Sequence, residues 1–586
     1  MHSANLDHLF PHNLEVLMDR EEALRDFIRE PVSFYLWRPC TVRVLIVVDG
    51  LDFSPSNGFG LSQFVTTILN TGWYVRFAIT LADIRNVNVA AQGMMPGEPR
   101  IADRIAGFRF DNTDHFAPDR FDVVFLFGIA ETYQFFPGRG QATLTDAELQ
   151  AIGEFQNRGG GLFATGDHAA LGRALCSRVA RARSMRLWDS KNNALGEDMV
   201  SMTGRYRNDT NRIGHDSTSE FNDQSDDIPQ QIDPVFYTRR SFIFRYRFPH
   251  PLLCGPRGVI RVMPDHPHEG ECIVPPDTSL NVQFTGKLGA EYPPGSGGGA
   301  QPFPEIISYN RVPAGNVASV DPDRLTDDKS PTVGPRFPGI SAYDGHRAGI
   351  GRVVCDSTWH HFVNINLTGE ANAQPPGNPK RFGFLASASG QAAYEDVKAY
   401  FRNLAVWLAP AERIRCMNSR LLWTLVWHEH VLESVLTARM VGLERVSART
   451  LSLIGKHARD ALGRYASQCQ SAKIIIDLIE VNDPLIPWID PWRPRLEKEP
   501  DLDDDELPMF DGKPMLDAAL GGALVAIADQ YPEPSPEAIE KLDSDEVAEV
   551  ARRGAGIALE RAQKSLRAGL KRLDKSFLAD RGKRAR

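Results

Sequence analysis

Histidines and carboxylates gather at three places in this 586-residue chain, and the spacing in each suits proton transfer or metal ligation. The first is Gly166-Asp167-His168, directly after the apolar run Gly160-Gly161-Leu162-Phe163-Ala164-Thr165. A strand turning into a helix there would aim backbone N–H groups at an anion, with Asp167 and His168 as base and acid. Asp167 could equally serve only as a helix cap. The second is Pro264-Asp265-His266-Pro267-His268-Glu269-Gly270-Glu271. In extended backbone, His266 and His268 share one face, and Glu269 or Asp265 could orient one of them or share a metal. The third is Asp356-Ser357-Thr358-Trp359-His360-His361, preceded by Tyr343-Asp344-Gly345-His346-Arg347. If the strand continued through them, the two adjacent histidines would point to opposite sides. His360 would then face the site and His361 would be a hydrogen-bonded core residue. His215-Asp216 is a weaker pair.

These groups need a scaffold. Thr41–Asp49 is a continuous, β-branched apolar run, the pattern of a strand covered on both faces. Trp73–Ile79 and Phe121–Phe127 follow as further strands, with helical spacing over Leu61–Leu69 between the first two. Thr145 and Glu148 have capping-box spacing, Leu149, Ile152 and Phe155 share a helix face, and Gly159 stands where a left-handed C-cap belongs. Gly351–Asp356 reads as a strand, and Tyr394–Leu408 as a helix closed by Pro410. Strands alternating with helices predict an α/β domain with a mainly parallel sheet, whose ligands gather outside the carboxyl ends of its strands. Residues 185–340 are rich in Pro, Gly, Asn and Asp and read as a large irregular insertion, from which Val259–Val262 and Ile306–Tyr309 extend the sheet.

The expected organisation is a helical lead-in over 1–40 (with a helix at about Leu14–Arg29), an α/β domain over 41–411 and a helical region over 412–495. An acidic linker at 496–512 and a helical region with a basic tail over 513–586 complete it. Leu421–Met440, Ser447–Ile479 and about Ser544–Leu578 carry helical spacing. Residues 561–586 hold ten Lys or Arg against two Asp, a local charge of +8, most simply a solvated basic terminus.

Other classes are disfavoured. Trp427-His428-Glu429-His430 lacks the spacing of a zinc-protease helix. No phosphate-binding glycine loop and no Gly-x-Ser-x-Gly elbow occurs. A net charge of −9 argues against a nucleic-acid partner. Seven cysteines without a paired motif predict neither a disulfide framework nor a thiolate zinc site, which fits a reducing cytoplasm. Neither a signal peptide nor a membrane span is expected.

The run Val42–Asp49, Asp122–Gly128, the capping-box helix, Gly159–His168 and Gly351–His360 resembles the class I glutamine amidotransferase-like superfamily. Its texture is closest to ThuA-like (trehalose utilisation) domains. The resemblance covers about residues 40–410 and implies a flavodoxin-like three-layer domain. It departs at the elbow, where a nucleophilic cysteine belongs and Ala164-Thr165-Gly166-Asp167-His168 stands; Cys176 lies two turns further on.

Two functions are therefore expected in competition. One is a hydrolase-type enzyme using Asp167, His168, His268, Glu269, Asp356 and His360, with His266, His268 and His360 able to ligate a divalent zinc, manganese or iron ion. Its ligand would be a small or anionic molecule. The other is a non-catalytic sensor or scaffold, docked to a protein partner or to a second copy through its C-terminal helices.

Overall fold

The computed structural model describes residues 39–49, 51–71, 74–85, 95, 97–129, 144–166, 178–187, 230–241, 244–265, 271–275, 279–284, 287–311, 336–371, 381–465, 474–475, 478, 513–532 and 536–584. Asp167, His168, His266, His268, Glu269, Cys176, His215 and the lead-in helix lie outside them. Two compact units form. One is built from Cys40–Asn418, and the other joins Ser419–Arg464 to Lys513–Arg586.

The first unit is α/β. Its elements in chain order are β1 (Cys40–Val48), α1 (Ser62–Leu69), β2 (Val75–Asp83), β3 (Ile101–Ala106), β4 (Val123–Phe127), α2 (Asp146–Asn157) and β5 (Gly161–Thr165). From the Pro/Gly-rich region come β6 (Gln230–Pro234), β7 (Val262–Met263), β8 (Glu305–Arg311) and β9 (Arg336–Tyr343). Then follow β10 (Val353–Asp356), α3 (Asn364–Leu367) and α4 (Ala388–Trp407). All ten strands form one sheet in the order β7-β6-β8-β9-β10-β5-β4-β1-β2-β3. The six strands from β10 to β3 run parallel, and β7, β6, β8 and β9 are joined to them through antiparallel pairs. Among the described residues four two-stranded pairings lie outside the sheet: three hairpins, one of them Cys254–Gly255 with Gly258–Val259, and the long-range pair of Arg186–Leu187 with Glu271–Cys272.

Both sheet faces are covered, which is why the central strands are mostly apolar, with β4 (Val123–Phe127) apolar at every position. On one face Ile152 and Phe155 of α2 pack with Leu126, Leu162, Ala164 and Cys355. On the other, Phe64 of α1 meets Phe125, Phe127, Phe362 and Phe401 edge-on, with ring centroids 5.1–5.5 Å apart. The capping box forms: Thr145 Oγ1 accepts from Glu148 N, and Glu148 Oε2 accepts from Thr145 N. Gly159 takes the left-handed conformation at φ +99°, a cost-free choice only for glycine.

Cysteine pairing departs from expectation. Cys40, the first residue of β1, forms a disulfide with Cys416, 376 residues away, with Cα atoms 6.1 Å apart. Separation hid the pair, because nothing local in the sequence links the two positions. The neighbouring Asp122 reinforces this corner, accepting from Arg43 Nε and Nη2 at 3.0 and 2.7 Å, with Arg413 Nε 3.5 Å away.

The helical stretches after 410 are α5 (Ala411–Trp427), α6 (Glu429–Val441), α7 (Ala448–Tyr465), α8 (Lys513–Gln530), α9 (Pro536–Lys541) and α10 (Ser544–Arg584). The single helix expected over Leu421–Met440 is interrupted at His428, which divides α5 from α6. In the second unit Gly455 lies against the Asp517 carbonyl and Gly521 against that of Leu451, so α7 and α8 approach backbone to backbone. Gly455→Ala is expected to lower stability by about 1–3 kcal/mol despite the better helix propensity of alanine, because its Cβ must displace a backbone oxygen. Urea unfolding followed by circular dichroism reads this; an unchanged midpoint would show that the helices separate freely. No helix among the described residues is long and apolar enough to cross a membrane.

Candidate functional site

The six parallel strands reverse their order of addition between β1 and β4, and a crevice forms at such a point outside the strand ends. Residues that leave the sheet here are Asp49 after β1, Gly128 after β4, Gly166 after β5 and Ser357 after β10. Gly128 has φ +65°, and a Cβ on it would lie 2.8 Å from Cζ3 of Trp359. Trp359 thus packs against Gly128 at the end of β4, a position only glycine permits.

The strand β10 does not continue through the histidines. Asp356 ends it, Thr358 N donates to Asp356 Oδ1 at 3.2 Å, and Trp359–His361 form a 3-10 turn whose entry is capped by Thr358 Oγ1 accepting from His360 N at 3.0 Å. The expectation that adjacent histidines diverge along a strand is therefore corrected. A tight turn lets both reach carboxylates.

His361 Nδ1 lies 3.0 Å from Asp356 Oδ2 and 2.9 Å from Oδ1, and its Nε2 lies 2.8 Å from the Asp265 carbonyl oxygen. Both ring nitrogens face oxygen acceptors, so both carry protons in the arrangement that satisfies them, which is the imidazolium. Burial pulls the His361 pKa down, but the Asp356 charge, its hydrogen bond and Asp265 together raise it above the ordinary histidine value. Tyr400 of α4 donates to Asp356 Oδ2 at 2.8 Å. Burial, then the Asp356 charge, hold this phenol far above its usual range, so it remains a neutral donor. His361 is a buried residue with both ring nitrogens engaged, for a reason other than the diverging strand expected.

His360 differs. Its Nδ1 lies 3.3 Å from Asp265 Oδ2. Asn366 Nδ2 donates to the same carboxylate oxygen at 3.1 Å and to the His360 carbonyl at 3.1 Å, fixing acid and imidazole relative to one another. Phe59, 40% exposed in the loop between β1 and α1, meets the His360 ring edge-on at 6.5 Å. That loop is tied down by Asn364, whose Nδ2 donates to the Ser54 and Asn57 carbonyls at 3.0 Å each. Asp265, Asp356, His360 and His361 are all buried, and His361 balances the Asp356 carboxylate.

Two of the three clusters read from the sequence thus meet: Asp265 of the second lies against His360 and His361 of the third. The sequence reading missed Tyr400 and Asn366. Tyr400 is the hydroxyl on the buried face of α4 that includes Val397, Phe401 and Leu404, a signal present in the helical spacing. Asn366 carried no local signal. Three more buried polar atoms at the strand ends have no hydrogen-bond partner among the described residues: Thr165 Oγ1, Ser357 Oγ and Trp359 Nε1.

Among the described residues no group of three or more His, Cys, Asp or Glu is arranged to hold a metal ion. The thiols of Cys254 and Cys272 are pushed up to about 12 by burial, so neither is a ready nucleophile.

The fold and site together define an α/β protein with a large, mostly parallel ten-stranded sheet and helices following it. No family model, curated protein or solved structure matches the chain.

Proposed function

We propose that the protein is an Asp/His-based hydrolase-type enzyme on an amidotransferase-like, flavodoxin-like framework, with His360 as the group that moves the proton. The observation that carries this reading is the Asp265–His360 pair, held by Asn366 beside the strand ends where open sheets deliver catalytic groups. Without its edge strand β3, the parallel order is β2-β1-β4-β5-β10, the flavodoxin-like order. Asp265 orients the imidazole through Nδ1 and stabilises the imidazolium that forms when it accepts a proton. Trp359 Nε1 and Thr165 Oγ1 are donors for an oxygen of the substrate. The buried described cysteines agree with chemistry that does not use a thiol. Asp167, His168, His268 and Glu269 belong to the same reading as further contributors, with zinc, manganese or iron as the metal to test for.

One observation favours the alternative, a non-catalytic sensor or scaffold: His360 and His361 are both fully enclosed.

Purified protein assayed on p-nitrophenyl acetate, anilide and phosphate substrates separates the two. His360→Gln is expected to lower turnover by about 10²–10⁴-fold with an unchanged circular dichroism spectrum, and metal analysis accompanies the assay. Turnover equal in wild type and variant on every substrate would leave the scaffold reading in its place.

A further inference from the structure

The carboxyl edge of the sheet continues past β10 onto β9 and β8, and there it carries polar side chains that no described residue engages. Asn310 is the last residue but one of β8, paired with Ile232 of β6 and Phe337 of β9. The residue is 1% exposed, yet among the described residues neither Nδ2 nor Oδ1 of its carboxamide has a hydrogen-bond partner. Ser308, two residues earlier, sits between two register irregularities of the β8–β9 ladder, and its enclosed Oγ has none either. The enclosed Oγ of Ser357, just beyond β10, is the third such group. Buried polar groups are nearly always paired, and exceptions point to a water, an ion or a ligand.

Gly339 of β9 joins these groups. The carboxamide lies across it: a Cβ on Gly339 would stand 2.0 Å from Asn310 Oδ1. The Gly339 carbonyl accepts from Ser357 N at 2.9 Å and from the Cys272 thiol at 3.3 Å. Asn310 and Ser357 therefore flank one residue, and a small ligand there can reach both. Arg311, the next residue of β8, has a side chain 52% exposed and forms the last pair of the ladder with Arg336. Fraying of that last pair, ordinary at a strand end, uncovers Asn310.

The atom types select the ligand. A carboxamide offers one donor atom beside one acceptor atom, whichever way it is turned. Its complement is an N–H beside a C=O on a single edge. A carboxylate presents only acceptors and an ammonium only donors, so each leaves half of Asn310 unmet. An open-chain secondary amide is trans and shows its N–H and C=O to opposite sides. In a five- or six-membered lactam or imide ring the two are cis and share one edge. The Ser357 hydroxyl, donor and acceptor alike, can take a second polar atom of such a ring.

We propose that Asn310 and Ser357, placed around Gly339, form a binding subsite for the N–H/C=O edge of a cyclic amide. The subsite adjoins the strand ends of the candidate site but does not require that the protein hydrolyse what it holds.

The test titrates the full-length protein with 2-pyrrolidone, N-methyl-2-pyrrolidone and acetate, read by ligand-observed NMR and by the melting temperature. Wild type is expected to bind 2-pyrrolidone about tenfold or more tightly than the N-methyl analogue, which lacks the N–H, and to ignore acetate. Asn310→Leu keeps the volume without the polar atoms. It is expected to melt no lower than wild type, because it removes unmet buried atoms, and to bind both lactams equally. Equal binding of the two lactams by wild type, or acetate bound as tightly as 2-pyrrolidone, overturns the proposal. So does an Asn310→Leu protein that melts well below wild type, since a resident water or the chain itself then already satisfies the carboxamide. His360→Gln is expected to bind 2-pyrrolidone as wild type does, so failure of the hydrolase reading and failure of this subsite are seen separately.

Discussion

Replacing Asp356 with alanine is expected to destabilise the protein by about 3–5 kcal/mol, the usual penalty for leaving one partner of a buried ion pair alone. Three donors lose their acceptor at once: His361 Nδ1, the Tyr400 phenol and Thr358 N. None can turn to water, because Asp356, His361 and Thr358 are fully enclosed. The pH dependence follows from the direction of the His361 shift. Its folded pKa is raised above the unfolded value near ~6.5. Between the two values the folded state binds the extra proton, so stability falls as pH rises through that window. The contribution is complete below about pH 6.5 and is lost above the folded pKa. In Asp356→Ala the raising charge is gone and burial dominates, so the buried ring prefers to be neutral and the slope reverses. Urea unfolding from pH 5 to 9 reads both effects. A loss under about 1 kcal/mol with an unchanged slope would mean that the carboxylate does not anchor the turn.

That anchor also explains which parts of the architecture could be seen in the sequence. β1, β4 and β5 are legible because strands buried on both faces are mostly apolar, as Val44–Val48, Val123–Phe127 and Leu162–Ala164 are, and the capping box and Gly159 bracket α2 by chemistry local to the chain. β3 was not, since Ile101-Ala102-Asp103-Arg104-Ile105-Ala106 is an edge strand with mixed polarity. The antiparallel part of the sheet was legible only in β8 and at Val262. β6 and β9 are drawn from a region whose prolines and glycines obscure any period. At the site, the residue types of Asp265, Asp356, His360 and His361 were visible, but their pairing was not. It depends on a 3-10 turn in place of a continuing strand, and on a contact between segments 95 residues apart in His360 and Asp265. Trp359 over Gly128 is a similar case: a tryptophan and a glycine become informative only once β4 and β10 lie on either side of β5.

The Cys40–Cys416 bond makes a prediction that reaches beyond stability. A cross-link between positions 376 residues apart removes much of the freedom of the unfolded chain, and its loss in Cys416→Ser is expected to cost about 2–5 kcal/mol. The Arg43–Asp122 ion pair and Arg413 hold the same corner without the sulfurs, so β1 and the start of α5 should stay together and the variant should fold. Reductant should therefore lower the urea midpoint of wild type and leave that of Cys416→Ser unmoved. Thiol titration of the denatured, unreduced protein decides the premise. With seven cysteines in the chain, a formed bond leaves at most five thiols to react. Seven reactive thiols would instead show a reduced pair, the state a glutathione-rich compartment maintains. In that case the corner rests on Asp122 and its arginines alone, and Asp122→Ala rather than Cys416→Ser becomes the substitution that loosens it.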